Sequence, residues 1–263
     1  MFRVLLPTDF SKNSFRAISY VFKHFKHERI KLMLIHTIKA PHSAAGVLIR
    51  IDDLMRQDAE RDMANLAQEI KDKYDVTVDS IIKIGHLNDW LKQYADSHKI
   101  DLVCMGTKGE SDIGNKLLGS VTDSVIRACE VPVLAIPPKD DLPPVHQVAI
   151  ATVSDKIPDE NYVKRFMATL KLENPRVNVI RVVRKERNDL PKSIDIDQVQ
   201  VGVEQVVNSS IVQGICKYAK EANTDLMLMY HVHSGKIASF FSKSSTVGVC
   251  GKIDIPLLVI PVK

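Results

Sequence analysis

The sequence predicts an α/β protein with two tandem open sheets, each of five parallel strands flanked by helices. Three observations lead to this prediction. Short apolar runs alternate with amphipathic helical segments along the 263 residues, which is typical of parallel strands covered on both faces. A segment with four prolines, 137–144, separates two halves with the same alternation. Two stretches of the first half recur in the second at a constant spacing.

In the first half, strands and helices follow one another regularly. Continuous apolar runs predict strands at 3–6, 32–36, 80–84, 102–105 and 132–136. Apolar stripes at helical spacing predict helices at 52–74, 87–95 and 121–129. Another helix is predicted after Ser11, whose side chain can cap it.

The second half repeats this order in a shortened form. The predicted strands are 148–152, 177–183, 199–207, 226–230 and 257–260, and the predicted helices are 161–170 and 211–220. Between 183 and 199 we expect a loop or a short helical turn, because there is no room for a counterpart of helix 52–74.

A duplication explains the two halves. Residues 101–106 match residues 225–230, and residues 131–139 match residues 255–263, both at a spacing of 124 residues. We therefore predict domains at 1–138 and 145–263. Because a sheet of this kind leaves its last strand unpaired at the edge, we expect 132–136 and 257–260 to meet within one chain as a pseudo-two-fold pair.

Composition excludes several functions. The formal net charge is only +4 and no run of Lys or Arg is present, which argues against a nucleic-acid partner. No apolar stretch approaches the roughly 20 residues of a membrane span. The four cysteines are isolated, without a CxxC pair, and are interpreted as reduced core residues of a cytoplasmic protein.

The strongest functional signal is a set of glycines between a strand and a helix. Gly106 and Gly109 follow the fourth strand, and Gly119 and Ser120 precede the next helix. Glycines let a phosphate approach the backbone, and the first N–H groups of a helix bind anions. The alternative is that these glycines only make turns; the full spacing favours a nucleotide site.

Other phosphate motifs do not fit. Asn115 stands where a Walker A loop needs its lysine, and no Gly-x-Gly-x-x-Gly follows the first strand. Asp9 follows that strand instead, where it could hold a base or ribose edge or simply cap the next helix. No nucleophile–base pair and no metal-ligand cluster is found, so no catalytic or metal-binding residue is predicted.

The sequence resembles the ATP-binding branch of the universal stress protein family. The resemblance rests on the spacing G-x2-G-x9-G-S, the opening Val-Leu-Leu-Pro-Thr-Asp of 4–9, the Ile35-His36 pair and the closing Val-Pro-Val-Leu-Ala-Ile of 131–136. It implies strand order 3-2-1-4-5, a cytoplasmic location, and ATP lying across the carboxyl edge of the sheet. Whether Mg²⁺ accompanies the ATP is left open. The family is generally regulatory and not strongly catalytic.

By this resemblance, three groups of residues bind the nucleotide. Adenine and ribose would contact Thr8, Asp9 and Thr37, with Pro7 in the same set. The path from ribose to phosphate would be lined by Met105, Gly106 and Gly109. The phosphates would be held by Gly119, Ser120, Val121 and Thr122.

The second copy departs from this pattern. At the same spacing, Gly106, Gly109 and Gly119 are replaced by Tyr230, His233 and Lys243, and only Ser120 persists, as Ser244. Aligning the opening strands replaces Asp9 by Val153. We expect one ATP per chain, unless Lys243 substitutes for its glycine by charge. His231 and His233 could suggest a metal, although a loop pair of histidines explains them as well.

Three functions remain in consideration. The first is a regulatory stress-response protein that binds ATP in its first domain. The second is an interaction module for an unknown protein partner, without nucleotide. The third is a weak ATPase or nucleotide-dependent switch. A homodimer of the full chain is compatible with each.

Overall fold

The computed structural model describes residues 1–38, 48–108, 118–152, 157–188, 190–196, 199–232 and 243–262. The strands are β1 (Phe2–Pro7), β2 (Ile30–Ile38), β3 (Asp79–Ile84), β4 (Leu102–Gly106), β5 (Val133–Ile136), β6 (Gln147–Ala151), β7 (Arg176–Val183), β8 (Ser193–Ile196), β9 (Val199–Val207), β10 (Leu226–Val232) and β11 (Leu257–Val262). The helices are α1 (Lys12–His24), α2 (Leu48–Tyr74), α3 (Leu87–Ser97), α4 (Ser120–Ala128), α5 (Glu160–Thr169), α6 (Ile211–Glu221) and α7 (Lys243–Cys250). A short 3-10 helix, His27–Arg29, precedes β2.

Both halves have the predicted strand order. The sheet runs β3-β2-β1-β4-β5 through the first half and β11-β10-β6-β7-β9-β8 through the second. Numbering the strands of each half in chain order, and leaving β8 aside, gives 3-2-1-4-5 twice. Neighbouring strands within each set of five are parallel. The α/β fold class and the order implied by the family resemblance are therefore confirmed.

The two sets of strands join into one sheet. β5 pairs antiparallel with β11, and Leu134 lies opposite Leu258, which confirms the expected pairing of these two strands. Both leucines are fully buried, in a cluster that also contains Phe2 of β1 and Phe166 of α5. Because this cluster draws on both halves, the pairing of β5 with β11 is continuous with the hydrophobic core.

The segment between β7 and β9 differs from the prediction. Instead of a loop or a short helical turn, it contains β8, which pairs antiparallel with β9 in a register that places Ile196 opposite Val199. Ile194 is buried, and Ile196 packs against the same core cluster. The alternation of isoleucine with polar residues in 193–196 is the period of a half-buried strand. Helix α7 is a second element that the sequence analysis did not predict.

The proline-rich segment lies along α1. Asp140 accepts hydrogen bonds from Arg16 Nε (2.7 Å) and Lys12 Nζ (3.3 Å), and Lys23 pairs with Asp141 (2.8 Å). The hydrogen bond from Arg16 is the main reason that the pKa of Asp140 falls to about 2. Leu142 is buried in the core. This segment therefore packs against the first half as part of the folded structure.

Helix α5 of the second half contacts the first half directly. Tyr162 and Phe166 lie against the ring of Phe2, and the Tyr162 hydroxyl donates to the Asp101 carbonyl (3.1 Å). Arg165 also pairs with the Asp101 carboxylate. Among the described residues, no helix is long and apolar enough to cross a membrane.

Candidate functional site

A cleft of about 560 Å³ opens at the carboxyl ends of β1, β2 and β4. Gly109, one of the residues predicted to bind nucleotide, lies outside the described residues. All the others line this cleft: Pro7, Thr8, Asp9, Thr37, Met105, Gly106, Gly119, Ser120, Val121 and Thr122. The structure therefore brings together residues from four separate segments, because the carboxyl ends of parallel strands meet at one edge of the sheet.

Two hydrogen bonds hold the start of α4 against the end of β4. The Gly119 N–H donates to the Thr107 carbonyl (2.7 Å), and the Thr122 hydroxyl donates to the Gly106 carbonyl (2.7 Å). Gly119 is the N-cap residue of α4, and no side chain caps this helix among the described residues. The N–H groups of a helix's first turn have no partner inside the helix, and the residues that carry them here line the cleft.

Three helices begin at the cleft. Ser14 in the first turn of α1, Leu87 at the start of α3 and Ser120 at the start of α4 all line it. Helix N-termini carry a partial positive charge, so the three together favour an anionic ligand. Helix α3 follows β3, which is two strands away from β1 in the sheet. It nevertheless reaches the cleft because it packs beside α4, where Asn88 Nδ2 donates to the Ser124 hydroxyl.

Protein groups already engage two of the predicted hydroxyls. Thr8 Oγ1 shares a hydrogen bond with Ser14 Oγ (3.0 Å) and accepts one from the Phe10 N–H (3.1 Å). The Thr122 hydroxyl is bound to Gly106, as described above. Phe10 has a positive φ of 60°, and the Asp9 carboxylate accepts from the Ser11 N–H (3.1 Å). Thr8 and Asp9 thus stabilise the turn between β1 and α1, a role that sequence analysis had left open for Asp9.

His36 stabilises the same turn from β2. Its Nδ1 lies 2.8 Å from the Thr8 carbonyl oxygen, which can only accept, so Nδ1 donates. The ring also packs against Phe10, with the centroids 4.6 Å apart. His36 lines the cleft, although the sequence analysis used it only to recognise the family.

Sequence analysis missed a further set of lining residues. Besides His36 they are Ser14, Ile35, Gly85, His86, Leu87, Asn88, Lys108 and Ser124. The stretch 85–88 follows the carboxyl end of β3 and opens α3, so its position after a strand was a usable signal. The proximity of this stretch to α4 could not be predicted from the sequence, because it depends on the packing of two helices.

The structure gives a packing reason for glycine at position 106. A Cβ at this position would lie 2.7 Å from the carbonyl oxygen of Asn13 in the first turn of α1. Glycine therefore permits α1 to pack closely against the end of β4, whether or not a ligand is bound.

We expect Gly106→Ala to lower the free energy of unfolding by about 1–3 kcal/mol, because a methyl group must displace the backbone of α1. Urea denaturation followed by circular dichroism measures this. Gly202→Ala in β9 is the control, because its Cβ would meet nothing within 4 Å and alanine suits a strand better than glycine does. Equal losses in the two variants would contradict the packing role of Gly106.

The corresponding edge of the second half is built differently. Tyr230, at the position of Gly106, is fully buried, and its hydroxyl has no hydrogen-bond partner among the described residues. Burial raises the pKa of this hydroxyl, with smaller contributions from Asp159 and Glu160 near the start of α5. A buried tyrosine therefore stands where the first half has a glycine packed against α1.

Comparing the strand registers of the two halves identifies another difference between their edges. The Thr8 N–H donates to Ile35, and the Thr152 N–H donates to Ile180 in the same way. The residue after Ile180 is Arg181, which is only 4% exposed and stands at the position of His36. A buried arginine replaces a residue that lines the first cleft.

Several predicted features of the second half lie outside the described residues. Val153 and His233 are outside the described residues, as are the side chains of Lys243 and Ser244. His231 is buried, with Nδ1 3.4 Å from the Thr246 hydroxyl. In the part of the chain that the structure describes, no three His, Cys, Asp or Glu side chains form a group that could hold a metal ion.

Comparison with known proteins gives a consistent result. A model of the universal stress protein family matches residues 1–137. A universal stress protein of Methanocaldococcus jannaschii is 27% identical in an alignment of 158 positions, and the match covers 52% of this chain and 96% of that protein. The crystal structure of a universal stress protein from Archaeoglobus fulgidus covers 98% of this chain and 96% of its own, with a TM-score of 0.69. At 19% identity, that likeness shows the shared fold.

Proposed function

The chain belongs to the universal stress protein family, a family of stress-response proteins, and on this basis we propose that residues 1–138 bind ATP in the cleft at the carboxyl edge of the sheet. The observation that carries the proposal is the convergence of two predicted sets of residues. Those expected to hold adenine and ribose, 7–9 and 37, line the same cleft as those expected to hold phosphate, 119–122. The cleft volume of about 560 Å³ is within the usual range for small-molecule sites, roughly 300–1,000 Å³.

The lining residues fit the two ends of a nucleotide. Ile35, Leu87 and Met105 are buried members of one hydrophobic cluster and supply an apolar surface for a base. The first turn of α4 supplies N–H groups for phosphate oxygens. The exposed Ser120 hydroxyl is a further donor at that end.

We propose a regulatory role in preference to rapid hydrolysis. Among the described lining residues, the one carboxylate is that of Asp9, which accepts a hydrogen bond from the Ser11 N–H in the turn. A hydrolase needs a group that orients or deprotonates water. We infer at most a weak ATPase, and the nucleotide would act by occupying the cleft.

Residues 145–263 are proposed to be a degenerate copy that contributes packing and contact with a protein partner. The buried Tyr230 and Arg181 support this, because they stand where the first half has Gly106 and a residue lining the cleft. A cytoplasmic location is part of the same proposal. The four cysteines are free, and burial raises the pKa of the Cys250 thiol to about 12, so that thiol has little tendency to react.

We expect the full chain to bind ATP at one site. Isothermal titration calorimetry of the intact protein measures the stoichiometry, and adenine absorbance released on denaturation reveals nucleotide carried through purification. The full chain is needed because β11 of the second half is paired with β5.

Each other result has a distinct meaning. Two sites per chain would refute the degeneracy of the second half. Absence of saturable binding by protein shown to be nucleotide-free would refute the proposal and favour the interaction module. Phosphate release in the presence of Mg²⁺ at several turnovers per second would exclude a purely regulatory role.

A further inference from the structure

The charged side chains that line the cleft are unevenly placed. Among the described lining residues, Lys108 is the one lysine or arginine, and Asp9 is the one acid. Lys108 follows β4 and Asp9 follows β1, which are neighbouring strands. Among the described lining residues, the acid therefore lies on the side of β1 and the cation on the side of β4.

The backbone beside Lys108 is firmly held. The preceding residue, Thr107, is 4% exposed; its N–H donates to the Ile136 carbonyl (2.9 Å), and its own carbonyl accepts from Gly119 (2.7 Å). Lys108 is therefore anchored next to the N-cap residue of α4. Its side chain is partly exposed and lines the same cleft as the first turn of that helix.

The nearest acid of α4 is already paired. Asp123, in the first turn, accepts a hydrogen bond from Arg127 Nε at 2.7 Å. This pairing compensates the charge of Asp123 within its own helix. It also reduces the competition that this carboxylate would offer to an anion beside Lys108.

We propose that Lys108 binds the terminal phosphates of the nucleotide and makes the cleft prefer triphosphates to monophosphates, an inference that rests on the proposed function. The first turn of α4 can hold one phosphate group through backbone N–H groups alone. Further phosphates add negative charge beside the same helix, and the ammonium group of Lys108 compensates it. Asp9, on the opposite side, repels phosphate and favours ribose hydroxyls, so the two charges orient the nucleotide.

The test compares four probes, ATP, ADP, AMP and adenosine, by calorimetry with wild-type protein, Lys108→Met and Lys108→Arg. Removing a charge-assisted hydrogen bond should weaken ATP binding by about tenfold to a hundredfold. AMP and adenosine binding should change by less than about twofold, because the α4 cradle and the base pocket remain. Lys108→Arg should restore most of the preference for ATP over AMP. Raising the salt concentration should reduce the same preference in the wild-type protein.

Lys83→Met is the matched control. It removes the same charge at the same edge of the sheet, but Lys83 lies over the ring of Trp90 (4.5 Å) and does not line the cleft. We expect its ATP affinity to stay within about twofold of wild type, because a charge outside the cleft is largely screened from the nucleotide.

Several outcomes would overturn the inference. Equal losses for ATP and AMP in Lys108→Met would place Lys108 in the structure of the cleft and not at the terminal phosphates. Unchanged ATP affinity of Lys108→Met would show that Lys108 does not contribute to nucleotide binding. If the wild-type protein binds none of the four probes, the proposed function itself fails and this inference falls with it.

Discussion

Gly119→Val is expected to weaken ATP binding by at least about tenfold, or ~1.4 kcal/mol. Gly119 is buried, lines the cleft and is the N-cap residue of α4. A branched side chain there adds three carbon atoms beside the N–H groups proposed to hold phosphate. Calorimetric titration of the intact protein with ATP measures the loss.

The fold should survive this change. The backbone of Gly119 has φ −67° and ψ 149°, which valine adopts readily. Gly202→Val in β9 introduces the same side chain into open space and is the matched control for binding. Identical ATP affinities of wild type and Gly119→Val, with both proteins folded, would show that phosphate is not held at the start of α4.

Leu258→Asp is expected to lower the free energy of unfolding by more than about 4 kcal/mol. Leu258 is fully buried and lies opposite Leu134 where β11 pairs with β5. A carboxylate there would be surrounded by apolar side chains from both halves. Because the core clusters draw on both halves, we expect a single unfolding transition at lower urea concentration.

Two further variants at the same position make the result quantitative. Leu258→Ala leaves a cavity without a charge and should cost about 2–5 kcal/mol. Leu258→Met nearly conserves volume and should cost less than about 1.5 kcal/mol. Two separate transitions in wild-type protein, with only the second half sensitive to Leu258→Asp, would contradict a shared core.

Much of the sheet could be predicted from local patterns. Buried parallel strands such as β4 and β10 are continuous apolar runs, and the spacing between matching segments predicts the same order in both halves. The pairing of β5 with β11 followed from an edge strand at the end of each half. Residues of the cleft were predictable where they follow strands, because the carboxyl ends of neighbouring parallel strands meet at one edge of the sheet.

β8 and the proline-rich segment show where these patterns fail. The four residues of β8 alternate as a strand does, but so short a run does not by itself predict one. They become a strand because β9 offers an edge and the core accepts Ile194. The proline-rich segment has the composition of a linker, but Asp140 and Asp141 bind it to α1. β8 depends on the adjacent strand β9 and on the core, whereas the proline-rich segment depends on α1, which is distant in sequence.

By itself the sequence determined the α/β class and most of the segments that meet at the cleft, because burial and backbone freedom leave local marks in the chain. The strand order was implied by the resemblance to the universal stress protein family. Only the tertiary structure decided how those residues are used. It engaged the hydroxyls of Thr8 and Thr122 with protein groups, attributed the need for glycine at Gly106 to the packing of α1, and brought α3 and Lys108 to the cleft. The roles of Thr122, Gly106 and α3 depend on contacts between separate elements of the chain, for which the local sequence carries no signal.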